Sequence, residues 1–184
     1  MEEGQMLHTS PYVAQIEKFA DSLTQLANTF LKMENKKKSF TNDEIDAMFD
    51  TYEIGAYTFM LLSLLYPNLK YSQKGFHQDH MHPYTGFEEG KIKDLVLPDG
   101  TVIDDDTKED WRRRRNTLAN LQLLEGRENE SKNATPLVDW LKVTENSENA
   151  KYLPSDVSYE LSNFEEFMEK RQELMSKALK DILL

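Results

Sequence analysis

The stretch FHQDHMHP, residues 76–83, decides the fold. It contains three of the chain's four histidines, which are His77, His80 and His82. Residues 71–80 are rich in aromatic side chains and lack a helical period, so we expect an extended segment that ends in a turn at Pro83. The histidines surround one aspartate, Asp79. They could form a metal site, supply a catalytic base or line a polar strand, and the flanking sequence must decide.

Composition limits the class of protein. The chain has 184 residues and 39% hydrophobic content, which suits one medium domain or a small domain with helical additions. It contains no cysteine, so disulfides and thiolate metal sites are excluded. The N-terminus lacks the pattern of a signal peptide, and the longest apolar stretch has 13 residues, below the roughly 18 needed to span a bilayer. We expect a cytoplasmic protein without a membrane segment.

The charge is distributed unevenly along the chain. A net charge of −11 argues by itself against a nucleic-acid partner, because neutralisation of phosphates dominates that kind of binding. Residues 99–110, however, hold six acids and one lysine, whereas residues 111–132 hold six basic residues and three glutamates. A locally basic segment on an acidic body can still bind a phosphate.

Helical patterns are strongest towards the two ends of the chain. Apolar residues recur every three or four positions over residues 11–33, after a Ser-Pro start signal. The sequence TNDE at 41–44 forms a capping box, and it predicts a second helix that runs to about Leu65. Residues 164–184 are expected to form a final amphipathic helix.

The middle of the chain alternates between extended and helical patterns. LVLPDGTVI at 95–103 predicts a β-hairpin around Pro-Asp-Gly. Residues 104–115 predict a helix with acids in its first turn and arginines in its last. TLANLQLL at 117–124 indicates a strand or a buried turn, and a helix is expected over 128–132. Residues 144–158 have the composition of a polar loop.

The order of three features resembles the HNH (His-Me finger, or ββα-metal) nuclease motif. These features are an Asp-His pair at the end of a strand, an Asn-Leu strand, and an asparagine and a lysine that open a helix. The resemblance is closest to the C-terminal HNH-like domain of GmrSD-type modification-dependent restriction endonucleases. In those proteins a D/E-H-x-x-P segment comes first, and an N-x-L-G-N-L-x-L-L segment follows it. An asparagine and a lysine come next, and a closing helix carries phenylalanine and arginine. Here the segments are DHMHP (79–83), NTLANLQLL (116–124), Asn129, Lys132 and FEEFMEKRQEL (164–174).

This resemblance implies a mostly helical α+β fold. A small ββα-metal core with an inserted β-hairpin would be flanked by N- and C-terminal helices. Residues 1–70 would be a lead-in of two helices, and residues 71–184 would be the nuclease domain with its closing helix. The implied activity is hydrolysis of DNA by a magnesium- or manganese-dependent endonuclease, as the nuclease part of a restriction or phage-defence protein.

Relatives of the GmrSD type also carry a separate N-terminal nucleotide-dependent domain. This chain has no GxxxxGK[ST] phosphate loop. We therefore expect an isolated C-terminal fragment or a shorter relative, with targeting to DNA supplied by another domain or subunit.

The resemblance also implies a role for each matched residue. His80 would be the general base, and Asn120 would fix the loop that carries it through hydrogen bonds. Asp79 and Asn129 would bind the metal. This pairing suits the reaction, because phosphodiester hydrolysis needs a base for the water and a cation for the leaving oxygen. Histidine titrates near neutral pH, and magnesium prefers a few oxygen ligands together with water.

Further residues complete the predicted site. Contacts to phosphate are expected from Lys132, Arg112 and Arg115. Supporting positions behind the site are expected for His82, Asn116 and Asn133. His82 stands where an apolar residue is frequent, so packing, support and a rival base all remain open for it. The usual glycine before the Asn-Leu pair is Ala119.

Alternatives exist for the same residues. Asn129 could be a plain helix N-cap, and Arg112–Arg115 a solvated helix end. The tryptophans, Trp111 and Trp140, are expected in the core. The histidine cluster could instead belong to a zinc-dependent hydrolase, although His77 and His80 point to opposite faces of an ideal strand. A non-enzymatic helical interaction module with an inactive site is the third reading.

Overall fold

The computed structural model describes residues 40–143 and 150–184. Within these residues the chain is a mostly helical α+β fold with a two-stranded antiparallel sheet, which confirms the predicted class at this level. The predicted helix over 11–33 lies outside the described residues, as does part of the predicted polar loop. No helix in the described ranges combines the length and apolar character that crossing a membrane requires.

The elements follow one another closely along the chain. In order they are α1 (Asn42–Thr51), α2 (Ala56–Leu65), β1 (Phe76–His80), α3 (Glu89–Ile92), α4 (Asp105–Arg114), β2 (Leu121–Glu125), α5 (Gly126–Lys132), α6 (Leu137–Trp140) and α7 (Phe164–Leu183). Short 3₁₀ helices are found at Tyr84–Phe87, Leu118–Asn120 and Leu161–Asn163. The predicted helices at 104–115 and 164–184 are confirmed as α4 and α7.

The prediction of one helix from the capping box to Leu65 is wrong, because the chain forms α1 and α2 with a break between them. The capping box at Thr41 is present and starts α1. The break follows from contacts with a distant segment: the Ile54 amide donates to the Asn116 carbonyl at 2.9 Å, and Glu53 forms an isolated β-bridge with Thr117. These bonds need extended backbone, so local helix propensity is overridden.

The sheet pairs β1 with β2 from Phe76↔Glu125 to His80↔Leu121. The extended segment is shorter than predicted, because residues 71–74 form a turn. Side chains alternate between faces, so Asp79 lies on one face of β1 and His80 on the other. Helix α5 packs against both strands, and α2 packs against β2.

The predicted β-hairpin at 95–103 forms as a turn without regular strands. One isolated bridge joins Val96 to Val102, and the Leu97 amide donates to the Thr101 carbonyl at 2.8 Å. Gly100 supplies the positive φ of 86° at the turn. The bridged valines are 53% and 59% exposed, so this segment has no buried side chains at the bridge that would stabilise longer strands.

One hydrophobic core joins α1 and α2 to β2 and to most of the described helices that follow β1. Helix α7 crosses this core, and its buried apolar side chains are Phe164, Phe167, Met168, Met175 and Leu179. Both tryptophans are buried in the same core, as predicted. Helices α1 and α2 pack directly on α7.

Arg171 is a charged residue buried within this core. Its side chain is fully buried, and Nη1 donates to the carbonyls of Ala119 at 2.6 Å and Leu121 at 3.0 Å. Nη2 lies 3.4 Å from the Tyr66 hydroxyl. A buried guanidinium is costly unless acceptors surround it, so these bonds fix α7 against the segment that precedes β2.

The substitution Arg171→Met tests this role. It leaves two buried carbonyls without a donor, and we expect the free energy of unfolding to fall by about 3 kcal/mol. Urea denaturation followed by circular dichroism measures the change. Lys170→Met is the matched control on the same helix, where the lysine forms an exposed ion pair with Glu173 at 3.3 Å. Equal losses in the two variants would contradict the role of Arg171.

Candidate functional site

Asn120 fixes the residues that follow β1. Its Oδ1 accepts the His82 amide at 2.9 Å, and its Nδ2 donates to the carbonyls of His82 at 3.1 Å and Arg115 at 2.8 Å. Its own carbonyl accepts the Met81 amide at 2.7 Å. The side chain is completely buried with its polar atoms matched, so it joins the end of β1 to the end of α4.

His80 is the last residue of β1, and its Nε2 lies 3.0 Å from Asn116 Oδ1. In the tautomer that makes this hydrogen bond to the amide oxygen, Nε2 carries the ring proton and Nδ1 keeps a lone pair. Burial lowers the pKa of His80 below its ordinary value; the Asn116 hydrogen bond and Asp79 oppose the shift, whereas Lys132 and Arg115 add to it. The imidazole is therefore neutral at neutral pH and able to accept a proton.

Asp79 lies on the opposite face of β1, towards α5. Its Oδ2 accepts from Lys132 Nζ at 2.9 Å and from Gln122 Nε2 at 3.0 Å. The Lys132 ammonium also donates to the carbonyl of His80. Lys132 thus binds the backbone of one predicted site residue and the carboxylate of another.

The predicted contact of Lys132 with phosphate is not supported by its position. The residue is completely buried, and its donors are directed into the protein. Burial lowers the pKa of Lys132, and the neighbouring Asp79 opposes that shift. The side chain therefore acts as an internal ion-pair partner, which the sequence did not reveal because burial depends on how α5 packs against β1.

Two oxygen donors remain for a divalent cation. Among the described residues, neither Asp79 Oδ1 nor the Asn129 carboxamide has a hydrogen-bond partner. Asn129 lies inside α5, whose N-cap is Glu125, so the reading of Asn129 as an N-cap is wrong. It precedes Lys132 by three residues and so shares the side of α5 that faces Asp79. One carboxylate and one amide fit the oxygen preference of Mg²⁺ or Mn²⁺.

The histidines do not converge on a zinc site. His77 is exposed beside Gly126, and His80 faces Asn116. His82 is enclosed between the rings of two phenylalanines on α7, Phe164 at 5.5 Å and Phe167 at 4.7 Å. Within the part of the chain that the structure describes, no group of three or more His, Cys, Asp or Glu side chains could hold a metal ion.

His82 is a packing residue. It is 2% exposed, and burial lowers its pKa to about 3, with further lowering by Lys132 and Arg171. Its Nε2 has no hydrogen-bond partner among the described atoms. An enclosed ring cannot reach a substrate, so the reading of His82 as a rival base is excluded.

The arginines of α4 differ in what they contact. Arg112 binds Glu89 at 2.6 Å and the Phe87 carbonyl at 3.0 Å, so its predicted contact with phosphate would require this ion pair to open. Arg115 forms no ion pair within the described residues, and its guanidinium carbon lies 3.5 Å from the ring centroid of Tyr84. Of these two residues, Arg115 is therefore the better placed to bind an anion.

The remaining predicted residues have clear positions. Asn116 contacts His80 directly. Asn133 is the exposed C-cap of α5 with a positive φ of 44°, so it ends the helix. Sequence reasoning missed Gln122 and Tyr84, since a buried glutamine in a strand and a tyrosine after a proline carry no motif.

Comparison with known proteins identifies no family for this chain. The sequence matches no protein-family model and no curated protein.

The buried His82 predicts a specific dependence of stability on pH. Its pKa is about 3 in the folded protein and near 6.5 in an unfolded chain, so the unfolded state binds one more proton between those values. Stability from this residue is complete above pH 6.5 and is lost as the pH falls, by about 1.4 kcal/mol per pH unit.

Urea denaturation at pH 7 and pH 5 measures this effect. From pH 7 to pH 5, the free energy of unfolding should fall by about 2 kcal/mol more in the wild type than in His82→Leu, because the variant has no imidazole to protonate. His77→Leu is the control, because His77 is exposed on the same segment and should leave the dependence unchanged. The same pH dependence in wild type and His82→Leu would show that His82 is not buried in its neutral form.

Proposed function

We propose that the protein is a metal-dependent endonuclease that hydrolyses DNA phosphodiester bonds, with a ββα-metal core formed by β1, β2 and α5. One observation carries the proposal: the His80 imidazole at the end of β1 is bonded through Nε2 to Asn116 Oδ1, while Asp79, the preceding residue, lies on the other face of β1 and is held by Lys132 of α5. Base and candidate metal ligand are thus adjacent in the chain and separately fixed.

The chemistry assigned to His80 follows from its hydrogen bond. With Nε2–H directed to Asn116 Oδ1, the free Nδ1 can take a proton from water as that water attacks phosphorus. A lowered pKa keeps the ring unprotonated before the reaction. Asn116 then stabilises the imidazolium that forms, because its Oδ1 accepts a hydrogen bond from Nε2–H.

Asp79 Oδ1 and Asn129 would hold the divalent cation, which supplies charge stabilisation for the leaving oxygen. Lys132 already neutralises part of the Asp79 charge. A dication must therefore bind next to an ammonium group, and we expect its affinity in the absence of DNA to be weak.

The electrostatics of the site favour an anionic substrate in spite of the acidic composition. Lys132 places positive charge near both His80 and His82, Arg115 does so near His80, and Arg171 does so near His82. Arg115 has no acidic partner among the described residues and remains available to a phosphate. The motif resemblance supports a place in restriction or phage defence, with targeting to DNA supplied by a nucleotide-dependent domain or subunit.

Plasmid nicking by the purified chain tests the proposal. In Mg²⁺ or Mn²⁺ we expect conversion of supercoiled to open-circle DNA, which EDTA abolishes. His80→Ala should reduce the rate by about 10²- to 10⁴-fold, because it removes the base. Circular dichroism must show that both proteins are equally folded.

His77→Ala is the matched control for this assay. It removes an exposed histidine from the same strand and should keep the wild-type rate. Nicking by His80→Ala at the wild-type rate would rule out His80 as the base.

A further inference from the structure

Tyr84 contacts two of the functional groups described above. It opens the 3₁₀ helix that follows Pro83, and 48% of its surface is exposed. One contact is the guanidinium of Arg115, 3.5 Å from the ring centroid. The other is the imidazole of His80, edge-on with centroids 5.9 Å apart and planes at 66°. An exposed tyrosine thus lies against both the proposed base and the Arg115 guanidinium.

Arg115 differs from the arginines that precede it in the chain. Arg112 pairs with Glu89 at 2.6 Å, and Arg113 and Arg114 pair with Asp110 at 2.7 and 3.5 Å. Among the described residues Arg115 has no carboxylate partner, and its Nε is buried without a hydrogen bond. The described contacts of its guanidinium are with aromatic rings, Tyr84 and, at 6.0 Å, Phe87.

An aromatic partner has a different consequence from an acidic one. A carboxylate both orients a guanidinium and neutralises it, whereas a ring orients it and leaves the charge available. The edge of the guanidinium keeps its donors for an anion, because stacking covers only its face. An aromatic partner therefore suits an arginine that must bind phosphate better than a carboxylate does.

We propose that Tyr84 is a positioning residue that holds the Arg115 guanidinium beside His80, where it contacts a phosphate of the bound DNA. This inference rests on the proposed function for its substrate, but the contact between the two side chains can be tested without it. The ring face makes the contact, so Phe should replace Tyr84 and an aliphatic residue should not.

Binding of a fluorescent DNA duplex in EDTA, at several salt concentrations, tests the phosphate contact without cleavage. Arg115→Gln should lower the slope of log affinity against log salt by about one. Tyr84→Leu should weaken binding by about two- to fivefold, the loss of one cation–π contact, and Tyr84→Phe should restore it. Tyr57→Leu, at an equally exposed tyrosine that stacks on Tyr52, should bind like the wild type.

The double variant Tyr84→Leu/Arg115→Gln shows whether Tyr84 acts through Arg115. We expect it to bind no more weakly than Arg115→Gln alone. Unchanged binding by Tyr84→Leu, or a further loss of the same size in the double variant, would overturn the proposal.

The NMR signal of the Arg115 Nε–H group tests the positioning itself, without DNA. The Tyr84 ring current should displace this signal in the wild type and Tyr84→Phe, and the displacement should vanish in Tyr84→Leu. A signal that is the same in all three proteins would overturn the positioning role. If the wild type bound no DNA, the proposed function would fail, and this signal would still decide whether Tyr84 holds Arg115.

Discussion

The buried hydrogen bonds of Asn120 and Arg171 are the constraint on which the rest of the structure depends. Arg171 binds the carbonyls on both sides of Asn120, and the Asn120 side chain binds both backbone groups of His82. One short segment is therefore bonded to the closing helix α7, to the end of β1 and to the end of α4. The start of β2, the turn after His80 and the position of Asn116 all follow from it.

Burial and the nearby cations together set the electrostatics of the site. Burial is the main cause that lowers the pKa of His80 and His82, and the positive charge of Lys132 adds to it in both cases. The outcomes differ because the His80 ring is part-buried and bonded to Asn116, whereas the His82 ring is enclosed and its Nε2 has no partner among the described atoms. One histidine is therefore suited to proton transfer, whereas the other stabilises the core in its neutral form. The net charge of the chain does not reveal this local positive environment.

Local patterns predicted the parts of the fold that local interactions decide. The charge pattern of α4 and the apolar periodicity of α7 were sufficient, and the Pro-Asp-Gly sequence located the turn at Gly100 although the strands of the predicted hairpin did not form. The break between α1 and α2 could not be predicted, because it depends on a hydrogen bond from Ile54 to a distant carbonyl. The burial of Lys132 was missed for a similar reason, since a lysine in a helix is normally solvated and only packing of α5 on β1 encloses it.

The proposed function depends on Asp79 and Asn129 forming an oxygen site for a divalent cation on the α5 face of β1. A Mn²⁺ titration of the ¹⁵N-labelled protein, observed through its side-chain amide signals, tests it most directly. We predict that the Asn129 and Gln122 amides broaden first, because Gln122 hydrogen-bonds Asp79 at 3.0 Å. Broadening that begins at the acidic residues 104–110, with both amides unaffected, would contradict the account.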